Sequence, residues 1–144
     1  MIAIDTNVLL RYLLDDDSVQ SEKAAALING EEKVLLTDAV LVEMVWTLKG
    51  KRFKVDHDGI AEVVNSLVEE PNIRFEDGQA VWSALRDFRK VPVLKKKGKS
   101  KQADFADALI VNKAKLVAKR LGEDLNGVYT FDLAAREITG ARKP

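Results

Sequence analysis

Short apolar runs alternate with longer stretches of helical periodicity along this chain, and polar or acidic residues mark most of the changes. Ile2, Ala3 and Ile4 form an apolar run that stops on Asp5. Thr6 and Asn7 follow, then Val8, Leu9 and Leu10. This predicts a short buried strand that turns into a helix over residues 8–14. Asp15, Asp16, Asp17 and Ser18 read as a solvated loop and the start of a second helix, residues 19–28, where negative charge is favourable. Asn29 and Gly30 end it. Residues 34–37 read as a second buried strand, and Thr37-Asp38 opens a helix to about Lys49. A helix over residues 60–68 has Val63, Val64, Leu67 and Val68 at core spacing. Pro71 breaks it, and Ile73, Arg74 and Phe75 form a weak third strand. Asp77 starts a helix to about Lys90 with Val81, Trp82, Leu85 and Phe88 on one face. The longest helix opens at Gln102 and runs to about Leu121. A strand over residues 128–131 ends on Asp132, and a last short helix covers residues 133–138.

Strands that alternate with helices predict an α/β fold. The expectation is a three-layer sandwich with a central, mostly parallel sheet of four to five strands, in a single domain over residues 1–144. Trp46 and Trp82, both inside helical apolar runs, are expected in the core.

Composition narrows the chemistry. The 144 residues are 47% hydrophobic and 32% charged, a globular profile with room for a core. The 23 basic and 23 acidic residues cancel, so any nucleic-acid footprint must be local. With no cysteine, disulfides, thiolate metal sites and cysteine nucleophiles are excluded. This fits a reducing compartment, the cytoplasm. No apolar run approaches the roughly 18 residues that a membrane span requires. His57, the only histidine, lies between Asp56 and Asp58 at a helix start and reads as a surface residue.

Carboxylates carry the remaining signal. Asp5 and Asp132 each end a strand, and ligands of open α/β sheets bind outside the carboxyl ends of the strands. Asp5 is equally suited to cap the next helix. Glu43 interrupts the apolar run Val40 to Trp46. If that helix is buried all round, the acid must be protonated, paired or bound to a metal. Otherwise it lies on a narrow solvent-facing stripe. Asp104 and Asp107 share a face at the start of the longest helix. Each alone is an ordinary helix-start acid. Together these acids would repel one another, and a divalent cation relieves the repulsion. Oxygen-only ligands suit Mg²⁺ or Mn²⁺, not zinc. Lys95, Lys96, Lys97, Lys99 and Lys101 precede the Asp104 cluster. They read either as a solvated mobile loop or as a cationic loop for a phosphate-backbone substrate.

In this order, Ile4-Asp5-Thr6-Asn7, Val42-Glu43, Asp107-Ala108-Leu109-Ile110 and Thr130-Phe131-Asp132 resemble the PIN-domain family over nearly the whole chain. The likeness is greatest to ribonuclease toxins of VapC type from toxin–antitoxin pairs. The resemblance implies a PIN-like fold and an acidic quartet of Asp5, Glu43, Asp107 and Asp132, with Asp104 as an added acid that either joins the metal shell or caps the helix. It implies that Thr6, Asn7 and Thr130 orient the carboxylates. It implies a Mg²⁺- or Mn²⁺-dependent endoribonuclease leaving a 5′-phosphate and a 3′-hydroxyl, with RNA held along the backbone by the five lysines. A cognate antitoxin and a homodimer are the implied partners. The family often has a further strand at the end, which residues 139–144 do not clearly supply.

Three other readings compete. A receiver-like phosphoacceptor needs an aspartate ending the middle strand, and Ile73 to Phe75 runs instead into Glu76-Asp77. A dehalogenase-like phosphatase needs an acid two residues after the first, where Asn7 stands. A catalytically inactive RNA-binding or partner-binding module has no use for carboxylates that face phosphates.

Overall fold

A computed structural model describes residues 1–144. The chain divides into two compact units, Met1–Gly78 and Gln79–Pro144. It is an α/β protein with six α-helices and a parallel sheet.

The first unit holds the sheet. β1 (Ile2–Ala3), β2 (Val34–Leu36) and β3 (Ile73–Phe75) pair in parallel, in the order β1-β2-β3. Ile2 pairs with Val34, and Val34 with Ile73. Val34 and Leu36 on the central strand are fully buried, as expected of a parallel strand covered on its faces. β1 and β2 end early because a polar residue begins the next structure. Asp5 caps α1 (Thr6–Leu14) and Thr37 caps α3 (Asp38–Lys49). Asp17 caps α2 (Ser18–Ile28), and Asp56 caps α4 (His57–Glu69). In each case a side-chain oxygen accepts from an otherwise unpaired backbone N–H of the first turn. Leu9, Ile28, Leu41, Met44, Ile60, Val64 and Leu67 fill the core beneath these helices.

The second unit is mainly helical. α5 (Gly78–Lys90) begins at the boundary between the units, and α6 (Phe105–Leu121) is the longest helix. Phe88 of α5 meets Phe105 of α6 edge to face, with centroids 6.0 Å apart. Asn112, buried on α6, donates to Asp87 Oδ2 at 3.0 Å and to the Ala108 carbonyl at 2.8 Å. Gly122 ends α6 in the left-handed conformation, at φ 72°.

The lysine segment is not a loop. β4 (Leu94–Lys96) and β5 (Lys99–Lys101) form an antiparallel hairpin in which Leu94 pairs with Lys101 and Lys96 with Lys99. Its two-residue turn, Lys97 at φ 52° and Gly98 at φ 74°, has the positive φ values that match the twist of paired strands.

The expected sheet of four to five strands is corrected to three. β6 (Val128–Tyr129) forms a separate parallel pair with β7 (Ala141–Arg142). Val128 N–H donates to Gly140 O and Thr130 N–H to Arg142 O, so the C-terminal segment satisfies this strand's backbone. β7 is thus a further strand that the residue pattern did not reveal. It is only two residues long and lacks an apolar run. The last helix is reduced to a 3₁₀ turn, Ala135–Glu137.

Both tryptophans are on the surface, against expectation: Trp46 is 58% and Trp82 57% exposed. On α3 the buried positions are Leu41, Met44, Val45 and Leu48, a complete i, i+3, i+4, i+7 face. Trp46 falls opposite that face. On α5, Ala80, Val81, Ala84, Leu85 and Phe88 fill the core, and Trp82 lies outside it under the Arg86 guanidinium, 5.6 Å from the ring centroid.

Candidate functional site

In the first unit, Asp5 caps α1: its Oδ1 accepts from Val8 N at 3.0 Å. The cap engages one carboxylate oxygen only, so capping and ligand binding do not compete for the same atom. The next residue, Thr6, donates through Oγ1 to Glu43 Oε2 at 2.6 Å. This joins the start of α1 to the middle of α3. Glu43 is exposed, so of the two arrangements left open for it, the solvent-facing stripe is the one adopted. Asp5, Thr6, Asn7, Glu43, Trp46 and Thr47 all line one open cavity of about 520 Å³. The Asn7 side chain lines it without bonding to either acid.

In the second unit, Asp104 and Asp107 lock the start of α6. Asp107 N–H donates to Asp104 Oδ1 at 2.8 Å, and Asp104 N–H donates to Asp107 Oδ2 at 2.9 Å. This is a capping box built from two aspartates. Asp104 is therefore a helix cap. Burial pushes the Asp107 carboxyl up to about 6, from an ordinary 3.8. The Asp104 backbone N–H opposes the rise, while the Asp104 carboxylate and, more weakly, Asp132 add to it.

Asp132 lies past the end of β6, in a turn. Its Oδ1 accepts from Ala134 N at 2.8 Å and from Ala135 N at 3.0 Å, and its own N–H donates to Thr130 Oγ1 at 3.1 Å. Thr6 and Thr130 thus each bond directly to an acid or its backbone.

The five lysines of the hairpin line a cavity of about 700 Å³ with Leu94, Leu133, Arg136 and Glu137. Arg136 was not singled out from the sequence. Its only signal there is a cation one turn after Asp132.

The donor set is carboxylate oxygen throughout, and the Asp107 carboxyl is raised chiefly by its burial, with the neighbouring acids adding to it. Both properties fit a hard divalent cation. Within neither unit do three acidic side chains close on one point tightly enough to hold a metal ion by themselves.

A parallel α/β sheet with helix-start and strand-end carboxylates defines a class of acid-lined α/β proteins. The PIN domain family profile matches residues 2–138, and the chain belongs to that family. PIN domains are generally metal-dependent nucleases, so membership points to a nuclease. No curated protein matches the chain. No helix is long and apolar enough to cross a membrane.

Proposed function

We propose that the chain is a Mg²⁺- or Mn²⁺-dependent endoribonuclease, the toxin of a type II toxin–antitoxin pair of VapC type, working in the cytoplasm as a single domain. The observation that carries this reading is the Asp104, Asp107 and Asp132 cluster in a PIN-family chain. Burial and neighbouring charge there leave Asp107 in want of a proton or a cation. Asp5, Asp107 and Asp132 would hold the cation directly, with Glu43 a direct or water-bridged ligand and Asp104 at the edge of the set. When bound, the cation supplies a water of lowered pKa and a counter-charge for the phosphoryl oxygens.

The chain's own residues do the rest. Thr6 fixes the rotamer of Glu43 through its 2.6 Å bond. The reciprocal Asp104–Asp107 bonds fix Asp107 against α6. Thr130 Oγ1 and the Ala134 and Ala135 amides hold the Asp132 turn. The hairpin lysines neutralise substrate phosphates without reading bases.

The test is cleavage of a mixed RNA pool by the purified chain with Mg²⁺ or Mn²⁺, and with EDTA, beside Asp5→Asn. Cutting that needs metal and is lost in the variant supports the reading. Cutting that persists in EDTA, or in Asp5→Asn, sinks the assignment. A second reading, an inactive RNA-binding or partner-binding module, draws on the lack of three converging acids within either unit. A folded chain that binds RNA but cuts none under either metal favours it. An antitoxin and a homodimer are proposed as partners. Co-purification with the product of an adjacent small gene tests the first and light scattering the second, and an active monomer that captures nothing counts against both.

A further inference from the structure

Asp132 is carried on a closed segment, and α6 grips that segment. β6 and β7 pair in parallel, Val128 with Ala141 and Tyr129 with Arg142. Val128 N–H donates to Gly140 O at 2.8 Å and Thr130 N–H to Arg142 O at 2.9 Å. The pairing ties residues 128–130 to residues 140–142 and leaves Asp132 on the turn between them. Lys115 of α6 reaches this junction: its Nζ donates to the Thr139 carbonyl at 2.6 Å. A Cβ on residue 140 would lie 2.8 Å from Lys115 Cε and 3.2 Å from its Nζ. The lysine lies over this backbone because residue 140 is glycine.

Two routes of hydrogen bonds lead from that contact to Asp132. On one, Gly140 O fixes Val128, the strand continues to Thr130, and Thr130 Oγ1 accepts from Asp132 N–H at 3.1 Å. On the other, Ala141 N–H donates to Ile138 O at 2.9 Å and Ile138 N–H to Ala135 O at 3.1 Å. Ala135 N–H then donates to Asp132 Oδ1 at 3.0 Å. Lys115 itself lies about two turns along α6 from Asp107. The helix that begins at Asp107 therefore also anchors the segment that carries Asp132. A lysine that serves only solubility keeps its head in water and its rotamers free. This one gives up that freedom to a backbone carbonyl, in a bond that its charge strengthens.

We propose that Lys115 is a positioning residue for Asp132: by clamping Thr139 and Gly140 onto α6, it sets where the Asp132 carboxylate stands relative to Asp107. This rests on the metal-dependent nuclease reading and adds to it a residue that holds the site without touching the cation.

The experiment takes two readings of the full chain. One is amide hydrogen exchange followed by NMR without metal, and the other is calorimetric titration with Mn²⁺. Lys115→Met is expected to speed exchange at Val128, Thr130, Ala134 and Ala135 about tenfold and to leave the α6 amides as they are. It is expected to weaken Mn²⁺ binding about tenfold. Lys115→Arg, which can still donate to the carbonyl, should recover most of both losses. Loss of charge alone works the other way, since removing a cation favours a bound metal ion. Lys119→Met, an exposed lysine one turn further along α6, should therefore bind Mn²⁺ at least as tightly as wild type. Unchanged exchange in Lys115→Met overturns the clamp, and so does Mn²⁺ binding as tight as that of wild type. Equal loosening in Lys119→Met overturns it as well. Faster exchange throughout α6 and the segment alike means lost stability rather than lost position, and also counts against it. A wild-type chain that takes up no Mn²⁺ sinks the metal reading instead, and the exchange rates then decide the clamp by themselves.

Discussion

The acids of the two units are held in different physical states. In Met1–Gly78, Asp5 and Glu43 are exposed, Asp5 as the cap of α1 and Glu43 in the middle of α3, where the Thr6 hydroxyl donates to it. In Gln79–Pro144, Asp104 and Asp107 share one helical turn, are partly buried, and bond to each other's backbone, with Asp132 adding its charge. The first arrangement costs little to keep empty, because water screens it. The second carries in the fold the cost of burying Asp107, with repulsion from its neighbours added. It teaches that the carboxylates of one chain can be held in two ways, relaxed in solvent or loaded by burial. The loaded one is where removing a charge should affect stability as well as chemistry.

The largest expected effects fall on both sides of this comparison. Asp5→Asn and Asp107→Asn should each lower metal-dependent cleavage by at least about a hundredfold, measured on a labelled RNA at saturating Mg²⁺. Near-normal rates in either would remove that residue from the reaction. Next comes Thr6→Val, which leaves Glu43 in place but unbraced. It should cost about ten- to a hundredfold in activity or metal affinity, with the melting temperature nearly unchanged. An equal loss of stability would make the bond structural instead.

The comparison sharpens in the absence of metal. The raised Asp107 carboxyl means that the folded chain holds a proton between about pH 4 and 6 that the unfolded chain releases. That group's contribution therefore becomes less favourable as pH rises through this window, and its full penalty is present above 6. In EDTA, Asp107→Asn should melt higher than wild type at pH 8, the gap should close toward pH 4, and Mg²⁺ should raise wild type but not the variant. Asp5→Asn should show no such gain. A gain of equal size in both would erase the distinction drawn here. The smallest effects belong to the exposed rings. Trp46→Ser and Trp82→Ser should each change unfolding free energy by no more than about 0.5 kcal/mol in urea titrations, whereas core residues would cost several times that.

Much of this was legible in the sequence, because periodicity and capping chemistry are local. Asn29 and Thr37 mark helix ends where the residues alone place them. The acids stood out because each interrupts an apolar run or ends one. What escaped was set by partners distant in sequence. β7 is two residues long and becomes a strand only through its pairing with β6. Trp46 and Trp82 sit in apolar runs, yet the adjacent i, i+3, i+4 positions already complete each helix's buried face. The lysine segment reads as a loop by charge, while its Lys97-Gly98 turn, a local signal, favours a hairpin. Arg136 stands out only through the cavity that it lines with the hairpin lysines.

The doubling of roles at the helix starts has an evolutionary consequence. Asp5 and Asp104 carry charge and also begin helices, and asparagine begins helices as well as aspartate does. The codons for the two residues differ by one guanine-to-adenine transition. A lineage that carries this chain can therefore lose a charge at either position in a single mutational step without passing through an unfolded intermediate. Descendants that keep the shape and drop the reaction are close neighbours in sequence space, open to recruitment as binders under a separate selective pressure.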